Sequence, residues 1–137
     1  MKGYFDHNAT TPMSGAARQI WLETAERHWQ NPSGLYREAG EAKRVLEDWR
    51  EALADHFGVD EAGRIVFTSG ATEANNAVIA HFAGCLSGCL VTSEIEHPCV
   101  EAAVRRDLDP SRVRRLPTDP ATGAAVLAPL KEWIAKG

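Results

Sequence analysis

The chain has 137 residues, 44% of them hydrophobic and 25% charged, a balance that lets it bury a core without disulfides or a structural metal. A formal charge of -4 gives no basic footprint for nucleic acid, and the cluster Arg112, Arg114 and Arg115 is read as a solvated strand end. No apolar run reaches the roughly 20 residues of a membrane span, and the opening "MKGYFDHNATTP" lacks the apolar core of a signal peptide, so a cytoplasmic protein without membrane contact is expected.

In chain order, Ser14 is placed to cap a first helix whose apolar positions Ala17, Ile20, Trp21, Ala25 and Trp29 recur every three to four residues. The stretch "NPSG" breaks it. Ser33 is expected to cap a second, longer helix, with Ala39, Ala42, Val45, Leu46, Trp49, Leu53 and Phe57 as one apolar stripe and Gly58 as the stop. Three β-type runs follow, Ile65 to Thr68, Cys89 to Thr92 and Val113 to Leu116. Each precedes a segment with helical character: Thr72 to Ala83, Pro98 to Asp107 and Leu127 to Lys136. This alternation predicts an α/β fold with a mostly parallel sheet covered by helices. The prolines and glycine of "LPTDPATGAAV" predict turns and a short irregular strand.

The stretch "RIVFTSGATEANNAVIAH" passes from a strand-like run through Ser69-Gly70 into a helix start. At the carboxyl end of a strand, Gly70 permits a tight turn and close backbone approach, and the first helical amides lack intrahelical partners. With the helix dipole and the hydroxyls of Ser69 and Thr72, this is a seat for a phosphate. An equally direct reading makes Ser69 or Thr72 a simple helix cap with Glu73 in the first turn. Neither nucleotide class has direct support, because the glycine patterns of nucleotide and dinucleotide loops are absent.

A second stretch, "VTSEIEHPCVEAAV", sets His97 just beyond another strand and before Pro98, a residue suited to the first helical position. Ligands of open α/β sheets collect at that edge, where a histidine either lies against a planar ligand or moves a proton. Taken alone, His97 reads more readily as a half-exposed histidine beside a helix cap. The three cysteines, Cys85, Cys89 and Cys99, are an odd number in no paired spacing, which suits a reducing compartment. They are read mainly as small apolar residues, although a helix start beside His97 would lend Cys99 thiolate character. Cys85, Cys89, His97 and Cys99 match no common zinc spacing, so no metal is expected.

Taken together, "YFDHNATTP", "NPSGLYREAG", "IVFTSGATEANN" and "VTSEIEHPCV", in this order, resemble the amino-terminal part of the cysteine desulfurases, pyridoxal-phosphate enzymes of the class V aminotransferase family. The similarity runs from about Tyr4 to about Arg106. It implies a large domain of the aspartate-aminotransferase type, a homodimer, and conversion of L-cysteine to L-alanine with the sulfur held as an enzyme persulfide for iron–sulfur cluster or thio-cofactor assembly. A sulfur-acceptor or scaffold protein is an implied partner. By the same resemblance Gly70, Ala71 and Thr72 seat the cofactor phosphate, and His97 stacks on the pyridine ring and shuttles protons. Asn8, Ala9 and Thr10 resemble the segment that approaches the active site, so that residues 1–13 form this segment and residues 14–137 a truncated part of the cofactor domain.

The family's chemistry also needs a lysine for the Schiff base, an aspartate beside the pyridinium nitrogen, a nucleophilic cysteine on a loop and a carboxylate-binding arginine. The four lysines, Lys2, Lys43, Lys131 and Lys136, lie outside the family's histidine-lysine context. The chain is therefore expected to be an amino-terminal portion, inactive by itself. The alternatives are another class V enzyme, a selenocysteine lyase or a small-amino-acid aminotransferase, and a non-catalytic interaction or dimer-forming module.

Overall fold

A computed structural model describes residues 3–136, the last of these by its backbone. Contacts divide the chain into two compact units, Met1–Val66 and Phe67–Gly137.

The first unit is helical. Helix α1, Gly15–Arg27, begins at Ser14, whose hydroxyl accepts a hydrogen bond from the Ala17 amide at 3.1 Å, as the sequence predicts. Helix α2 spans Arg37–Phe57 and ends on Gly58, whose left-handed backbone (φ 66°) lets its amide return to the carbonyls of Ala54 and Asp55. Its start differs from expectation. Tyr36, not Ser33, stands at the N-cap, and no side chain caps the helix. The reason is a turn over "NPSG": the Gly34 amide donates to the Asn31 carbonyl at 2.9 Å and the Ser33 amide to Asn31 Oδ1 at 3.0 Å, so the backbone at Ser33 belongs to this turn and the helix opens after it. Gly34 is required there, because a Cβ would stand 2.6 Å from the Tyr36 ring and 2.9 Å from Ala39 Cβ. The apolar stripe of α2 is buried only at Ala39, Ala42 and, outside the predicted set, Ala54, while Trp49 and Phe57 are exposed.

The run Ile65 to Thr68 is not a strand. A strand exists through its ladder partners, and this run straddles the division between units, with the Ile65 carbonyl accepting from the Arg50 guanidinium instead.

The second unit is mixed α/β. Helix α3 (Ala71–Cys85), strand β1 (Leu90–Ser93), helix α4 (Pro98–Asp107) and strand β2 (Val113–Leu116) form a βαβ crossover preceded by a helix. The two strands pair in parallel from Leu90 opposite Val113 to Ser93 opposite Leu116. The core is the cluster Ile79, Ala103, Val104 and Leu108, packed with Phe82, Leu90, Val100 and Val113. Beyond β2 a tight turn pairs Thr118 with Ala125, closed by the Gly123 amide on the Asp119 carbonyl at 2.8 Å, and helix α5 (Ala128–Lys136) follows.

The arginine cluster is not merely solvated. Arg112 donates to the carbonyls of Ala83 (3.2 Å), Leu86 (2.7 Å) and Gly88 (3.0 Å) and lies over the Phe82 ring. It thereby supplies donors to carbonyls that a helix end leaves unpaired. Arg115 bonds Glu101, tying β2 to α4, and Arg114 lies over Trp133. Among the described residues, no helix is long and apolar enough to cross a membrane.

Candidate functional site

The site is built from two helix starts in the second unit. In α3 the ladder opens with the Ala74 amide on the Gly70 carbonyl at 3.2 Å, so the N–H groups of Ala71, Thr72 and Glu73 precede it and have no intrahelical acceptor. Gly70 is the N-cap, and its backbone is extended rather than left-handed, so no unusual conformation demands glycine. A Cβ added there would meet nothing within 4 Å, which leaves the space over the first turn open.

Neither Ser69 nor Thr72 caps α3 with its side chain. Instead Glu73 reaches back, its Oε2 accepting from the Ser69 amide at 2.6 Å. That bond, helped by the Ser69 hydroxyl, holds the Glu73 carboxyl below its usual range although it is exposed. Glu73 thus answers the amide of Ser69 and leaves those of Ala71 and Thr72 unanswered. The Thr72 side chain is exposed beside them.

At α4 the order His97-Pro98 sets the start. Pro98 fills the first helical position, where a missing N–H costs nothing, and His97 is the N-cap. Its ring Nδ1 accepts from the Cys99 amide at 3.2 Å. An amide only donates, so Nδ1 carries no proton in this arrangement and the neutral ring holds its proton on Nε2. The cap reading and the site reading of His97 are therefore compatible, one using each nitrogen. Cys99 Sγ lies 3.0 Å from the same Nδ1 and 3.3 Å from Asn75 Nδ2.

These two starts open onto one cavity of about 530 Å3, lined by Gly70, Ala71, Thr72, Glu73, His97 and Cys99 among others. The structure thus brings Gly70, Ala71, Thr72 and His97 together. Asn8, Ala9 and Thr10 belong to the first unit, in a turn where the amides of Ala9 and Thr10 donate to the Asp6 carbonyl at 3.1 and 3.4 Å. The Tyr4 hydroxyl, 2.9 Å from the Asp6 carbonyl and 3.1 Å from that of Thr10, closes this turn. Asn75 escaped the sequence reading. Its signal was its place three residues after Thr72, which puts both on one helix face.

The donor set suits a phosphate: outward amides at a helix start, a hydroxyl, and open space above them. A flat ring with a donor nitrogen at the same cavity suits a planar heteroaromatic partner. Among the described residues, no group of three or more His, Cys, Asp or Glu side chains is placed to hold a metal ion.

Comparison with known proteins gives the family. The family described as Aminotransferase class-V matches residues 3–135. A NifS/IcsS protein homolog of Lactobacillus delbrueckii is 37% identical over 121 residues, 85% of this chain and 31% of the relative. The cysteine desulfurase IscS of Rickettsia akari is 35% identical over 136 residues, covering 96% of this chain and 33% of the relative. A selenocysteine lyase of Bos taurus is 40% identical over 78 residues, 57% of this chain and 18% of the relative. The chain thus spans about a third or less of the length of these curated relatives.

Proposed function

The chain belongs to the class V aminotransferases and is cysteine-desulfurase-like, and from that premise we propose that it is the amino-terminal part of a pyridoxal-phosphate-dependent cysteine desulfurase. The observation that carries the proposal is the cavity shared by the outward amides of Ala71 and Thr72 and the ring of His97. Two groups from separate helix starts line it, each with the chemistry that one end of the cofactor needs.

Pyridoxal phosphate, when bound, supplies an electron sink for breaking bonds next to the amino group of its substrate. The chain's own residues do the rest of what is proposed here. The amides of Ala71 and Thr72 and the Thr72 hydroxyl bind the phosphate at the positive end of α3. Glu73, held on the Ser69 amide, orders the turn without occupying the seat. His97 is oriented through Nδ1 by the Cys99 amide, which leaves Nε2–H to face the cofactor ring or to hand a proton to substrate.

The finer assignments rest on the same reading: a large domain of the aspartate-aminotransferase type, the turn at Asn8, Ala9 and Thr10 as the segment approaching the site, L-cysteine as substrate, a homodimer, and sulfur passed to an acceptor protein. The residues for which this chain offers no counterpart in family context, the Schiff-base lysine and the nucleophilic cysteine loop, are assigned to the remaining two-thirds of such relatives. A selenocysteine lyase is the second reading, supported by the bovine relative, and it uses the same seat.

Titration of the 137-residue chain with pyridoxal phosphate tests the seat. Thr72→Ala should weaken binding about tenfold, the loss of one charge-assisted hydrogen bond. Equal affinity of the variant and the parent would remove Thr72 from the seat. No lysine-dependent visible band should form, and no alanine should be released from L-cysteine.

A further inference from the structure

We infer that Cys99 is a base-assisted nucleophilic thiol whose partner class is the small disulfide, reacting by thiol–disulfide exchange. The inference goes beyond the cofactor reading and does not depend on it. Sγ of Cys99 stands 3.0 Å from His97 Nδ1, the ring nitrogen that the tautomer leaves without a proton. Asn75 Nδ2 donates to the same sulfur at 3.3 Å. A nucleophile, a base within hydrogen-bond reach and a third group fixing the arrangement are the parts of an activated thiol. The cluster is not sealed in a core: Cys99 is half-buried, His97 is exposed, and both line the cavity of about 530 Å3.

The contrast with the other two cysteines is internal to the molecule. Cys85 and Cys89 are more exposed than Cys99, and the contact made by Cys89 Sγ is with the Ser111 carbonyl at 4.0 Å, an acceptor unable to take its proton away. Exposure alone ranks them above Cys99, whereas base assistance ranks them below it.

The proton leaves Sγ for Nδ1 as Sγ bonds one sulfur of the disulfide. The disulfide bond breaks, and the departing sulfur leaves as a thiolate that collects the proton from Nδ1. The incoming disulfide is the oxidant, reduced to one thiol while Cys99 is oxidised to a mixed disulfide. While Nδ1 holds the proton, the Cys99 amide is released from the ring at a helix start, where negative charge is favoured. The outward amides of α3 line the same cavity and favour a disulfide bearing carboxylates and a leaving group that departs as an anion.

The experiment labels the reduced full chain, without cofactor, under limiting iodoacetamide and reads each cysteine by peptide mass mapping. Cys99 should be alkylated at least about tenfold faster than Cys85 or Cys89, a modest share of what a positioned base contributes. His97→Asn keeps a good N-cap acceptor but supplies no base, and should bring Cys99 to within about threefold of the other two. Should that change disturb α4, Asn75→Ala gives a second reading by removing only the donor to Sγ, and should slow Cys99 several-fold. With oxidised glutathione as the probe, the first mixed disulfide should form at Cys99. A Cys99 no faster than Cys85, or a rate indifferent to both substitutions, would overturn the inference. Fast alkylation without a glutathione adduct would overturn the disulfide class. A negative outcome here leaves the pyridoxal-phosphate titration unaffected, so the two readings fail separately.

Discussion

The two compact units use similar apolar resources to different ends. In the first, α1 carries Ile20, Trp21 and Leu22 yet buries no residue, and α2 buries only alanines. In the second, α3, α4 and the paired strands close over Ile79, Ala103, Val104 and Leu108. An amphipathic helix needs a partner surface before its stripe becomes a core. The second unit supplies that surface from its own chain, and it is there that the cavity forms. Positioning follows packing: residues 71 and 72 and His97 line one cavity because α3 and α4 share a core behind them.

The sharpest way to break this contrast is a matched pair of charges. Val104, 1% exposed, should not tolerate aspartate: Val104→Asp should cost more than about 3 kcal/mol and unfold the second unit, as read by hydrogen exchange. Trp21, 61% exposed on α1, should tolerate Trp21→Asp within about 0.5 kcal/mol. Equal losses would mean that both units depend on burial alike.

A smaller effect sharpens the account of the second unit. Glu101 on α4 is held below the usual carboxylate range, first by its hydrogen bond to Arg115 on β2, whose own pKa is raised by the same bond. A carboxyl with a depressed folded pKa stabilises fully above its ordinary range and loses that contribution as pH falls through the depressed value. Glu101→Gln should therefore cost up to about 1 kcal/mol at neutral pH, given the partly exposed pair, and should flatten the acid limb of the stability curve. An unchanged acid limb would show that the pair does not couple helix to strand.

The smallest expected effect is at the site itself. Glu73, also depressed but exposed, orders Ser69 while its bond lasts and releases it as pH falls below the usual carboxylate range. Glu73→Gln should leave global stability nearly unchanged while speeding hydrogen exchange at the Ser69 amide. Protection unaltered by the substitution would remove Glu73 from the turn.

Much of this was legible in the chain. The cap at Ser14, the stop at Gly58 and the helix Pro98–Asp107 stand where local signals put them, because caps, prolines and stop glycines act within a few residues. The strand Val113–Leu116 stands because it finds Leu90–Ser93 as its ladder partner. The run Ile65 to Thr68 failed because strand formation depends on a partner that no local pattern contains. Ser33 is not the cap because its backbone lies in the turn over residues 31–34, ahead of the helix start at Tyr36. The roles of Arg112, Arg114 and Arg115 were invisible for a like reason: their acceptors and rings lie on elements distant in sequence. At the site, the residues at 70–72 and 97 were readable as types, and their convergence needed the fold.

The central claim is that the helix start at Ala71 and Thr72 and the imidazole of His97 receive one and the same ligand. Nuclear magnetic resonance of the labelled chain during titration with pyridoxal phosphate reads both ends at once. The Ala71 and Thr72 amides and the His97 ring nitrogens should shift most, along a single saturation curve. Shifts confined to other residues, or amide and ring signals saturating at different ligand concentrations, would contradict it.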